Sequence, residues 1–269
     1  LDTQKSQFFD FPILLGPRFA LGAAFGVAQM ILSSTLIIDT CESFQRTEAN
    51  HSASWFSRFA LSLGPLTGII VDRMAGFSTV LLVSIGCTLA AIIFIRLVHF
   101  PFRTPEENVR VVSLDRFFLP QGWPLTLNLL VVTFVMGLLL STITSELFYV
   151  MVMVGFLVAL LAQRFAFRDA DIESEVITGL LLIGVALLMM LTRQQTIVSF
   201  AAPMFIGFGL GIIGSRFLLF FIKLSRHCQR GTAQSTFFLA WESGLALGIG
   251  LGYGLLELQM GPMLQLALV

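Results

Sequence analysis

Uncharged, mostly apolar stretches alternate with short polar breaks along almost the whole chain. No Asp, Glu, Lys or Arg falls within 19–38, 74–95, 117–145, 147–163, 176–192 or 194–215. Several of these runs reach the ~20 residues a helix needs to cross a hydrocarbon core. Two further apolar segments, about 52–72 and 232–256, each carry one interior charge, Arg58 and Glu242. The pattern predicts eight spanning helices, over about 15–38, 52–72, 75–97, 123–142, 145–163, 175–192, 196–222 and 232–256. A ninth begins at Gly261 and stops at Val269, and the residues from Leu1 to Asp10 read as a loop. Barrel strands would need only about ten alternating residues each. The expectation is therefore an all-α, polytopic transmembrane bundle.

Composition agrees. Apolar residues make up 56% and charged residues 12%, against about 25% charged in a soluble domain. Net charge is zero, so no basic footprint points to nucleic acid. Cys41, Cys87 and Cys228 lack a paired spacing, which argues against a disulfide framework or a cysteine metal site. No cofactor and no metal are expected.

Loop charges set an orientation. Loops after the first, third, fifth and seventh predicted helices hold Arg46, Arg96, Arg103, Arg110, Arg116, Arg164, Arg168, Lys223, Arg226 and Arg230. The opposite loops hold only Lys5, Arg73 and Arg193. Cytoplasmic loops are enriched in Lys and Arg, so the first set, around 46, 103, 168 and 226, is expected in the cytoplasm of a cell that carries the protein in its inner membrane. Trp123 then opens its helix at an interface, where aromatic belts lie.

A long-range repeat organises the helices. Gly22-x3-Gly26, Gln45-Arg46, Ala49 and Gly64-x3-Gly68 recur as Gly207-x3-Gly211, Gln229-Arg230, Ala233 and Gly248-x3-Gly252. Duplicated halves of this kind are what secondary transporters carry. The polar stretch 98–122 lies between the copies and reads as a cytoplasmic linker. It separates 1–97, the second half of one six-helix bundle, from 123–269, a second bundle cut short in its last helix. A chain that starts outside the cell without a signal is expected to be a fragment, beginning at the fourth helix of twelve.

Short motifs now resemble a known family. Leu14-x3-Arg18-x3-Gly22 is similar to the fourth-helix signature of the major facilitator superfamily. Leu63-Gly64-Pro65-Leu66-Thr67-Gly68 resembles the Gly-Pro-x-x-Gly element of its antiporters, and Arg226 to Ala233 resembles its basic turn before the eleventh helix. Gly68-x3-Asp72-Arg73-x2-Gly76 departs by one residue from the family's cytoplasmic motif and reads as an ordinary external turn. The resemblance implies a secondary active transporter of a small solute, working by alternating access, proton-coupled and exporting, as a monomer in the lipid bilayer.

Charges inside a membrane are costly and raise functional questions. Arg58 is expected six residues from the cytoplasmic end of its helix, ~9 Å deep. Its repeat equivalent is Glu242. Arg216 lies at a similar depth on the neighbouring helix, so an Arg216–Glu242 pair is expected, either gating or static. With Arg18 and Glu146, these form the candidates for proton coupling and gating. Gln29, Ser33 and Asn128 are candidates for the substrate cavity, with interhelical hydrogen bonding as the plainer role. Gly22, Gly26, Gly244, Gly248 and Gly252 fall at four-residue spacing, which lets helix backbones approach. Pro65, which with Gly64 and Gly68 makes up the Gly-Pro element, removes its own backbone hydrogen bond and should kink its helix. The acidic run Asp169, Asp171, Glu173 and Glu175 reads as a solvated cytoplasmic turn.

Two other functions compete. A receptor or scaffold on a transporter fold would share every feature above. An integral-membrane enzyme would need an acid–base or metal constellation. His51, His99 and His227 are scattered over separate loops, so enzymatic chemistry is not expected.

Overall fold

A computed structural model describes residues 2–32, 36–42, 45–97, 117–167, 171–192, 195–226, 229–254 and 260–268. Every regular element among them is helical. In order they are α1 (Asp2–Met30), α2 (Leu36–Thr40), α3 (Arg46–Ala75), α4 (Phe77–Leu97), a 3-10 turn (Pro120–Gly122), α5 (Trp123–Thr142), α6 (Glu146–Phe165), α7 (Ile172–Thr192), α8 (Thr196–Leu224), α9 (Arg230–Gly254) and α10 (Met260–Leu268). Five described spans, α4, α5 with its 3-10 lead, α6, α7 and α8, are long and apolar enough to cross a membrane.

Three expectations need correction. The opening residues are helical from Asp2 rather than a loop, and the helix expected over 15–38 ends at Met30, with the separate α2 following. The second expected helix begins at Arg46, not 52, which moves Arg58 to twelve residues from its start, ~18 Å along the axis. One compact unit is Leu1–Asn50 with Phe100–Thr104, and the other is His51–His99 with Pro105–Val269. Most of the expected linker lies outside the described residues.

In the second unit, glycines face glycines where helices cross. On the parallel pair α5 and α9, Gly244, Gly248 and Gly252 sit against Thr133, Gly137 and Ser141 in turn. On the parallel pair α6 and α8, Gly155 meets Gly207, and Ala159 meets Gly211. On the antiparallel pair α7 and α8, Gly179 meets Gly209. A Cβ built on Gly209 would stand 2.5 Å from the Gly179 carbonyl oxygen, and one on Gly248 would stand 2.8 Å from the Leu138 nitrogen. Lipid offers no hydrophobic drive for helices to associate, so this close backbone approach is what supplies the packing energy. Around the seams Phe156, Phe217 and Phe221 are fully buried.

The peripheral helices behave differently. No residue of α4 is buried, although Leu82, Ile85, Ile93 and Phe94 lie along it. Its apolar surface is suited to lipid or to another helix. Gly76, at φ 79°, ends α3 and donates its N–H to the Asp72 carbonyl, the left-handed cap that glycine adopts without strain.

Candidate functional site

Polar side chains of the second unit gather near one end of α8, where its glycine face gives way to Gly214, Ser215 and Arg216. This level matches the last turn of α6 and the first turn of α7, because Gln163 reaches Ser215 and Glu175 reaches Arg216. Helices α3 and α8 run on past it.

Arg216 grips Glu175 at two points. Its Nε donates to Oε2 at 2.7 Å, and its Nη2 lies 2.7 Å from Oε1. Glu175 is 1% exposed and Arg216 21%. The acidic turn is thus not uniformly solvated: Glu175 points inward from the start of α7. The partner expected for Arg216, Glu242, sits on the exposed side of α9. Arg216 thus pairs across the α7–α8 hairpin. Counting outward from the α7–α8 loop puts Glu175 and Arg216 at nearly equal distances, and that count was the available signal.

Arg58 enters from α3 and has no carboxylate partner among the described residues. It is 2% exposed. Its guanidinium carbon stands 4.7 Å from the Trp55 ring centroid, a cation–π contact. Nη2 donates to Ser54 Oγ at 3.3 Å, while Nη1 is buried with no hydrogen-bond acceptor. The Nε–Nη2 edge is turned to Gly214: a Cβ there would lie 2.7 Å from Nε and 3.0 Å from Nη2. Glycine at 214 is therefore what admits the arginine. Trp55 donates its indole N–H to His51 Nε2 at 3.1 Å, which holds the ring under the guanidinium and requires Nε2 to be unprotonated.

The rest of α3 docks through side chains as well. Ser62 Oγ donates to the Tyr149 carbonyl on α6 at 2.6 Å. At the far end Arg73, exposed, pairs with the half-buried Glu146 at 2.7 Å. Phe59 meets Phe156 edge-on at 6.4 Å. No glycine seam joins α3 to its neighbours; Gly64 and Gly68, beside Pro65, have open space around them.

The remaining candidates are dispersed. Arg18 is exposed on α1, in the first unit, with Gln29 half-buried and engaged on the same helix. Gly22 and Gly26 there have no neighbour within 4 Å. Asn128 is exposed near the start of α5, and Ser33 lies outside the described residues. A cavity of about 340 Å³ at the opposite end of α8 is lined by Ser145, Gln195 and Ser199 among apolar residues and does not reach Arg58. No group of three His, Cys, Asp or Glu converges among the described residues.

Among the described residues the α8 layer therefore brings two guanidinium groups, Arg58 and Arg216, near one carboxylate, Glu175. Such a layer can attract an anion or latch and release a helix. Compared with known proteins, the chain matches no family model, no curated protein and no solved structure.

Proposed function

We propose that the chain works as a secondary active transporter, similar to the major facilitator superfamily, which moves a small solute by alternating access. On this reading α3 belongs to one half and α5–α10 to the other, and the coupling is to protons in the export direction. One observation carries the reading: α3 is held to α6 and α8 by a contact built to part. The seams inside α5–α9 are close backbone crossings. The α3 contact relies instead on long side chains and includes a buried guanidinium with no counter-charge among the described residues. A charge so placed costs several kcal/mol in a membrane, so the contact is held at a cost that its opening relieves. Two states of similar energy are what alternating access requires.

The test locks that contact in the protein. Cysteines replace Arg73 and Glu146, which form an ion pair between α3 and α6, in a background lacking Cys41, Cys87 and Cys228, and are bridged by a bifunctional maleimide with a reducible disulfide spacer. Proteoliposomes with an imposed pH gradient are screened with sugars, drugs and organic anions. Gradient-driven flux should stop on cross-linking and return with reductant. Flux that continues through a verified cross-link defeats the role of α3. No flux from the folded, uncross-linked protein across the panel would favour a receptor or scaffold.

A further inference from the structure

We infer that Arg58 is the docking group for a small anionic solute, of carboxylate class and single negative charge, which it takes up when α3 separates from α8. The inference rests on the transport reading and names the substrate class for it.

Three observations converge on this residue. First, the charge of the layer is incomplete. Glu175 is ion-paired with Arg216, which donates to its Oε2 and lies 2.7 Å from its Oε1. Among the described residues Arg58 has no carboxylate partner, in a setting where ionisable groups otherwise pair.

Second, the guanidinium is held for planar recognition. Trp55 stacks beneath it, and Ser54, whose own hydroxyl donates to the His51 carbonyl at 2.7 Å, takes Nη2. Stacking fixes the plane and leaves the fork edges to choose a partner. A planar fork matches a carboxylate through two parallel hydrogen bonds, which a lysine cannot reproduce.

Third, the edge bearing Nε and Nη2 faces the backbone of Gly214, with Nη2 also donating to Ser54 Oγ. The point where a Cβ would sit lies 2.7 and 3.0 Å from these nitrogens, the length of a charge-assisted hydrogen bond. Retreat of α3 from Gly214 opens that edge to an oxygen atom. The anion and the closed contact therefore occupy the same edge in turn. One carboxylate neutralises the layer, and a neutral analogue of the same shape gains nothing from Arg58.

The experiment uses the whole protein in phosphatidylcholine nanodiscs with Trp123 and Trp241 changed to Phe, so that Trp55 is the fluorescent reporter. The probes are acetate and its neutral isostere acetamide. Acetate should give a saturable change in Trp55 emission and acetamide none. Arg58→Gln should weaken the acetate response at least tenfold, and Arg58→Lys, which keeps the charge without the fork, should weaken it at least threefold. Arg226→Gln, an exposed arginine on the same end, should leave it within twofold. Equal responses in the protein and in Arg58→Lys, or none to acetate at all, overturn the inference. If phosphatidylglycerol nanodiscs give the signal without acetate and acetate cannot displace it, the ligand is a lipid headgroup and the solute assignment fails. The two readings fail separately: loss of the acetate response with flux of some solute intact sinks only the anion site. Absence of flux with a fork-dependent acetate response sinks only transport.

Discussion

Arg216 and Glu175 close a two-point ion pair across the antiparallel α7–α8 seam, with both contacts at 2.7 Å. The two partners are not equally sheltered, since Glu175 is 1% exposed and Arg216 21%. Removing one half of a buried pair strands the other, and the stranded group sets the cost. Arg216→Gln leaves a buried carboxylate and should destabilise by about 3–5 kcal/mol. Glu175→Gln leaves an arginine that can turn toward water and should cost less, about 1–3 kcal/mol. The double variant should recover part of the loss. Thermal unfolding in detergent for all four proteins completes the cycle; equal losses in the two single variants would contradict the burial asymmetry.

Gly248 and Gly250 separate packing from propensity on a single helix. A Cβ at Gly248 would meet the α5 backbone at Phe134, Leu138 and Gly137, whereas Gly250 has nothing within 4 Å. Gly248→Ala should lower stability by about 1–3 kcal/mol, because a crossing cannot absorb the added methyl without moving two helices. Gly250→Ala should be neutral or gain slightly from alanine's better helix propensity. Folded yield after solubilisation, together with the melting temperature, distinguishes the two. A matching loss at both positions would mean that the seam is not the determinant.

These residues also show what the sequence could and could not tell. Uncharged runs bounded by polar turns placed α4 to α8 within a few residues, because length and apolarity alone decide a helix in lipid. The four-residue spacing of Gly244, Gly248 and Gly252 marked one face, which proves to be the α5-facing one. Spacing could not say that Gly22 and Gly26 would have no such neighbour, since a face is defined by one helix and a seam by two. The inward turn of Glu175 was hidden for a related reason. Amid Asp171 and Glu173 it looks solvated, and only the identity of the adjacent helix distinguishes it. Arg58 was legible as a charge inside an apolar segment. Its want of a carboxylate among the described residues was not, because spacing along one helix does not say which helix packs beside it.

Ser62 ties α3 to α6 through one hydrogen bond to the Tyr149 carbonyl, 2.6 Å long and buried. Ser62→Ala removes the donor and leaves the carbonyl without it, a loss of about 1–2 kcal/mol. Because the bond spans the contact proposed to part, the expected effect is greater accessibility of that contact rather than general unfolding. A cysteine at Phe59, which packs against Phe156 in the same contact, should react faster with a membrane-permeant maleimide in Ser62→Ala. The melting temperature should fall by only a few degrees. Unchanged labelling with a lowered melting temperature would make Ser62 a plain stabilising residue.

Arg58→Met should raise stability, against the usual outcome for a buried side chain. The arginine leaves Nη1 buried without an acceptor, and an unsatisfied buried donor costs about 1–3 kcal/mol. Its compensation is the contact with Trp55 at 4.7 Å, about 0.5–2 kcal/mol for a stacked cation. Methionine is unbranched and can thread the same channel beside Gly214 with no polar atom to satisfy. The net gain expected is about 1 kcal/mol, read as a higher melting temperature in nanodiscs. A residue that makes its protein less stable is one retained for another reason, as at functional sites where stability and activity trade against each other. The same variant should then lose its acetate response while folding better. A substantial loss of stability would instead show that the guanidinium has a counter-charge in the membrane, and that the α3–α8 contact is a permanent join.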